Sequence, residues 1–372
     1  MTRWAAALGV LLAAAPAAAS APSVGGRAYF VENPATGEVL LQRHARWQVP
    51  IASITKLMTV LVALEHSRLD DVVTVTRRAA RVGESSINLE PGNRLTVREL
   101  LQAALIQSAN DAAVALADHA AHGDLGLFVL WMNAKARALG LTDTHFVNPD
   151  GLDAAGHYSS ARDVTRLARA AMRNPVVRDT VRRTGATISG RRRLHTWNDL
   201  LSTFPGLIGV KTGHTSAAGW SEVAAAKGSQ GVTVYATILG EPTRARRNSD
   251  LTRLLVFGLS RYRIVRVVQP QRVYARAAVP WGKAPLALVA ARPALRVVRV
   301  DRPLLERVVA PRVVSLPVGR GQHLGEVRIY SKGKTIARVP LVASRSISRP
   351  GLLGRTGWYA GQTAHHLRSW IS

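Results

Sequence analysis

Ser53-Ile54-Thr55-Lys56, within Pro50-Ile51-Ala52-Ser53-Ile54-Thr55-Lys56-Leu57-Met58-Thr59, decides how this chain is read. Pro50 stops an extended run. Ile54, Leu57, Met58, Leu61, Val62 and Leu64 are then apolar nearly all round a helix, so the helix is expected to be buried. Its start carries a serine, where the positive end of the helix dipole favours a nucleophile. Lys56 follows three residues later, on the same face and about one turn away. An amine held there takes the hydroxyl proton if it is kept neutral, and burial or a second cation lowers a lysine pKa.

Two further motifs follow in order, Ser108-Ala109-Asn110 and Lys211-Thr212-Gly213. Ser108 offers a hydroxyl that relays a proton to a leaving amine. Asn110 offers an amide for Lys56 and a substrate carbonyl. Lys211 follows a β run and supplies a fixed cation for Ser108 or a substrate carboxylate, and it is also the second cation near Lys56. Gly213 has no side chain, so a substrate backbone is expected to lie against the strand. The backbone N–H groups of Ser53 and His214 are the expected oxyanion donors. Thr212, Thr215 and Arg247 are the expected carboxylate partners. Each motif alone is common. Together they equip a cleft for serine acyl transfer on a substrate bearing a carboxylate.

Composition bounds the setting. The 372 residues imply two domains plus tails, and 47% hydrophobic content supports a packed interior. There is no cysteine, so thiolate metal sites and disulfides are excluded. The 11 histidines include no His-Glu-x-x-His pair, and no Gly-x-x-x-x-Gly-Lys-Ser/Thr phosphate loop is present, so no metal or cofactor is expected. Residues 1–21 read as an export signal: Arg3, an apolar run from Ala5 to Ala15, and small residues Ala17-Ala18-Ala19 before Ser20. The net charge is +27, and residues 261–372 hold 21 of the 50 Lys/Arg but only 3 of the 23 Asp/Glu. Such a block favours an anionic surface, and export argues against nucleic acid as the partner.

The pattern along the chain places the motifs. Tyr29-Phe30-Val31 and Val39-Leu40-Leu41 flank the turn residues Asn33-Pro34-Ala35-Thr36-Gly37. Thr96-Val97-Arg98-Glu99 is a capping box before Leu100–Ile106, with a break expected at Ser108-Ala109-Asn110. Helices are expected over Gly126–Leu139, closed by Gly140, and from Ser160 to Met172, ending before Pro175. Strands are expected at Leu207–Val210, Ser221–Ala226 and Val232–Leu239, then a helix over Asp250–Leu259. Residues 25–261 therefore read as one α/β domain with its sheet built from both ends. Residues 262–344 alternate apolar and basic residues between prolines, as in a small all-β sandwich. In the tail, 345–372, Tyr359, Thr363, Leu367, Trp370 and Ile371 fall on one helical face beside basic residues, as in a segment lying on an anionic membrane surface.

With these stretches, Phe146-Val147-Asn148-Pro149-Asp150-Gly151-Leu152, Gly156-His157-Tyr158-Ser159-Ser160-Ala161-Arg162-Asp163 and Lys211-Thr212-Gly213-His214-Thr215, the chain resembles the serine-type D-alanyl-D-alanine carboxypeptidases, the low-molecular-mass penicillin-binding proteins. The similarity covers residues 25–260 well and continues more loosely beyond. It implies a β-lactamase/transpeptidase-like fold, an antiparallel sheet with a helical cluster, followed by the β-rich domain. It also implies that Ser53 attacks the carbonyl between the two terminal D-alanines of a peptidoglycan stem peptide, with Lys56 as base and Ser108 aiding the leaving amine. β-Lactams would acylate the same serine, and the enzyme would work at the periplasmic face of the bacterial inner membrane. Relatives usually carry a polar or basic residue before the asparagine at Asn198, where this chain has Trp197. The Pro-Ile-Ala-Ser-Ile-Thr-Lys run also resembles D,D-endopeptidases, which cut cross-links. The same motifs leave room for a β-lactamase and for a non-catalytic wall- or β-lactam-binding protein.

Overall fold

The computed structural model describes residues 4–11, 20–281, 283–352, 356–358, 360 and 363. Residues 19–260 form one unit, and residues from 261 onward form a second that also takes in Trp4–Leu11.

The first unit is organised by a five-stranded antiparallel sheet in the order Glu38–Arg43, Ala28–Asn33, Thr233–Glu241, Gly219–Lys227, Leu207–Thr215. The sheet is thus made from the two ends of the unit, as the patterning predicts. Along Thr233–Glu241, alternate residues point to opposite faces. Thr237 meets Thr165 of helix Ala161–Ala171 at 2.6 Å on one face. Val234 packs against Gly258 of helix Arg244–Ser260 on the other. That helix begins six residues before the expected Asp250.

The helical cluster fills the middle of the sequence. Helix Asn110–Ala120 is buried from Asn110 to Asp118, so no water-facing stripe marks it in the sequence. It packs against helix Lys56–His66, which in turn touches Leu125–Ala138 and Ala161–Ala171. The capping box forms as expected: Thr96 Oγ1 accepts from Glu99 N at 3.2 Å, and Glu99 Oε2 accepts from Thr96 N at 2.8 Å. The helix Ala161–Ala171 ends before Pro175 as expected, and Pro175 then opens a short helix, Pro175–Val181, with Asn174 accepting from the N–H groups of Val176 and Val177. Proline suits the first helical position because its missing N–H is unpaired there anyway.

The second unit has a six-stranded antiparallel sheet, in the order Trp4–Leu11, Leu304–Pro311, His323–Ser331, Lys334–Ala343, Leu286–Ala290, Val273–Ala277. Trp4–Leu11, inside the segment read as an export signal, is its edge strand here. A ribbon of Tyr262–Val268 and Ala294–Arg299 shares the same apolar core. Ala337, Val339, Leu341 and Ala343 point inward while Arg338 and Pro340 point out, the period-2 pattern expected of such a strand. In the tail the described residues Leu352, Thr356, Gly357, Trp358, Ala360 and Thr363 are helical. Tyr359, Leu367, Trp370 and Ile371, expected on the apolar face, lie outside the described residues. Among the described residues no helix is long and apolar enough to cross a membrane.

Candidate active site

Ser53 sits in a 3-10 turn, Ala52–Thr55, that runs directly into helix Lys56–His66. Ala52 has φ of 50°, a left-handed conformation that a residue with a side chain holds only when its surroundings fix it. Two close backbone approaches do so. A Cβ added at Gly151 would lie 2.1 Å from the Ala52 carbonyl oxygen, and one at Gly213 would lie 2.7 Å from that of Ile51. The sequence pattern assigns the space beside Gly213 to a substrate backbone. In the structure the serine turn itself takes it.

Lys56 is wholly buried, and its Nζ contacts three oxygens: Ser53 Oγ at 2.7 Å, Asn110 Oδ1 at 2.7 Å and the Asp150 carbonyl at 2.6 Å. The last two can only accept. A neutral amine has two hydrogens and one lone pair, so those acceptors take both hydrogens and the lone pair is left facing Ser53 Oγ–H. Burial lowers the Lys56 amine to about 8, which makes this form accessible near neutral pH. Asn110 Nδ2 donates to the Gly83 carbonyl at 2.9 Å, so the observed task of Asn110 is to hold Lys56 and that loop. An amide nitrogen has two N–H groups, so this one bond does not preclude the substrate-carbonyl contact expected of Asn110.

Ser108 ends the helix as the motif predicts. Val97–Gln102 passes into a π turn, Ala103–Gln107, and Ser108 follows with φ of 66° before Asn110–Ala120 begins. Such turns gather at functional sites. Lys211 Nζ donates to Ser108 Oγ at 2.7 Å and to its neighbour's carbonyl, that of Thr212, at 2.9 Å. Burial, with repulsion from Lys56, holds Lys211 well below the usual lysine range.

Ser53, Ser108, Thr212, Gly213, His214 and Arg247 line one cavity of about 290 Å³, with Trp197 and Trp220 in its walls. His214 is exposed at the rim, its ring 4.1 Å from that of Trp220. Arg247 is 1% exposed and places Nε 3.1 Å from Glu222 Oε2. Thr215 is not part of this wall: its hydroxyl donates to Asp153 Oδ1 at 2.7 Å and accepts from Ala218 N. Trp197 donates from Nε1 to the Gln107 carbonyl at 3.0 Å and carries Arg244 5.3 Å above its ring, so the polar position of the resemblance is here an aromatic wall.

Three contributors carry little or no signal in the sequence. The Asp150 carbonyl acts through backbone, which no side-chain pattern marks. Asp111 accepts from Ser86 Oγ, Ile87 N and Leu89 N, fastening the loop beside Ser108. Glu222 lies in an apolar strand run, where a lone acid is itself the signal. Among the described residues no cluster of three or more His, Asp or Glu side chains could hold a metal ion.

The D-alanyl-D-alanine carboxypeptidase family matches residues 15–243. The chain belongs to the D-alanyl-D-alanine carboxypeptidases. It is 31% identical over 335 residues to the D-alanyl-D-alanine carboxypeptidase DacF of Bacillus subtilis, covering 86% of this chain and 85% of that one. Identity to the D-alanyl-D-alanine carboxypeptidase DacC of Escherichia coli is also 31%, over 379 residues and 96% and 94% of the two chains. Among solved structures, penicillin binding protein 5 of Haemophilus influenzae superposes with a TM-score of 0.64 at 26% identity, covering 88% of this chain and 99% of that one.

Proposed function

We propose that this enzyme removes the terminal D-alanine from peptidoglycan stem peptides through an acyl-enzyme on Ser53. The observation that carries the reading is a wholly buried amine, Lys56 Nζ, 2.7 Å from Ser53 Oγ. The peptide lies along Leu207–Thr215, the sheet's edge strand, whose outer backbone groups are open to pairing. Its terminal carboxylate meets Thr212 and Arg247. Ser53 Oγ attacks the carbonyl carbon between the two D-alanines while its proton passes to Lys56 Nζ. The oxyanion is held by the N–H groups of Ser53 and His214. When the C–N bond breaks, the departing amine takes a proton from Ser108 Oγ, which Lys211 replaces. Lys56 passes the proton it took from Ser53 on to Lys211, so both amines regain their starting states. Water then attacks the ester, giving a proton to Lys56, which delivers it to Ser53 Oγ as the ester C–O bond breaks and the serine is restored. β-Lactams carry a comparable carboxylate and acylate Ser53 in the same way.

The export signal and the basic tail support a second part of this reading: work outside the cytoplasm, against an anionic membrane surface. Incubation with a pentapeptide ending in D-Ala-D-Ala should release alanine, and mass spectrometry should find one penicillin adduct, on Ser53. Labelling that survives in Ser53→Ala would overturn the nucleophile. Faster release of monomers from cross-linked dimers than of alanine from pentapeptides would make the enzyme an endopeptidase.

A further inference from the structure

Glu222 is a buried acid that the mechanism above does not use. It sits in the middle of Gly219–Lys227, in register with Thr212 on one side and Ile238 on the other, and is 0% exposed. A buried carboxylate is tolerated only with good partners. Glu222 has an ion pair with Arg247, but neither carboxylate oxygen takes a well-aligned hydrogen bond. Such a pair is a poor stabiliser, and an apolar side chain of similar size would pack at least as well. Its placement points elsewhere. The Nε that faces Glu222 donates its hydrogen to Asn248 Oδ1 at 3.0 Å, Nη2 donates to the same oxygen at 2.6 Å, and Arg247 still lines the cavity beside Ser53.

We propose that Glu222 is a positioning residue for substrate recognition: it holds the Arg247 guanidinium against the cleft wall and sets how strongly that wall attracts a carboxylate. This rests on the reading that Arg247 and Thr212 receive the terminal carboxylate. The charged and titratable groups around Glu222 are Lys211 on the edge strand, Arg247 and Arg244 on the C-terminal helix, Asp199 ahead of Leu200–Thr203, and His214 further out at the rim. Burial raises the Glu222 carboxyl to about 7, against the pull of Arg247. Above that pH the carboxylate offsets the guanidinium. Below it the guanidinium faces the cleft uncompensated, and a substrate carboxylate is held more tightly.

The test compares two peptides, one ending in a free D-Ala-D-Ala carboxylate and one in its C-terminal amide. The ratio of their kcat/KM values cancels the titration of Lys56, which both share. In the wild type this ratio should rise about fivefold from pH 8.5 to pH 6, the size expected of one charge screened near a protein surface. In Glu222→Gln it should stay at its low-pH value throughout, and in His214→Gln the wild-type rise should persist. Arg247→Ala separates the two readings. If it leaves the ratio unchanged, the carboxylate reading fails. If it collapses the ratio while Glu222→Gln still titrates like the wild type, the Glu222 proposal alone fails. Should Glu222→Gln not fold, the wild type decides: a ratio flat from pH 6 to 8.5, or a rise that vanishes in His214→Gln, overturns the proposal.

Discussion

Lys56 and Lys211 are both buried, and each makes the other's charge less favourable. When Lys56 is neutral its two pure acceptors take both hydrogens, so its lone pair is left for Ser53. A base must be neutral to act, so kcat/KM should fall about tenfold per unit as pH drops below about 8. Activity that is level from pH 6 to 8 would remove Lys56 from this role. Asn110 fixes the amine's direction. Asn110→Ala leaves Lys56 one partner short, a loss of roughly 1–3 kcal/mol. It should slow acylation by fluorescent penicillin about ten- to a hundredfold, measured by stopped flow.

Elements seat these residues by close approach, and here the sequence was only partly legible. Motif order, the capping box and the helix break at Ser108 could be read because each depends on local chemistry. What Gly213 and Gly151 do could not, because it depends on backbone that arrives from distant segments. Helix Pro175–Val181 was hidden because proline both ends and begins helices. The small space at Gly213 has a direct consequence. Gly213→Ala should push the serine turn off the edge strand and slow acylation strongly, while far-UV circular dichroism stays native. Overpacking of this kind costs about 1–3 kcal/mol. The capping box gives a pH test. Burial pushes the Glu99 carboxyl up, but hydrogen bonds from Ser189 and Thr96 outweigh it and hold Glu99 at about 2. Its folded value lies below its ordinary one, so its stabilisation is present above about 4.5 and is lost as pH falls toward 2. The melting-temperature gap between wild type and Glu99→Gln should shrink over that range, and a constant gap would refute the account.

At the scale of the molecule, the charge divides where the fold does. Most of the basic excess lies beyond residue 260, on a unit where Arg338, for one, takes an outward strand position. Deleting residues 350–372 should move the protein from the membrane to the soluble fraction and leave turnover of soluble peptides intact. If the truncated protein still sediments with membranes, the arginine-rich β unit is the anchor, and raised salt should release it. The sheet of the first unit carries one more implication. Its N-terminal hairpin pairs with Thr233–Glu241, and the strand bearing Lys211 comes almost as late. During synthesis the ribosome delivers Ser53 long before Gly213, so the serine turn is made well ahead of the strand backbone that seats it.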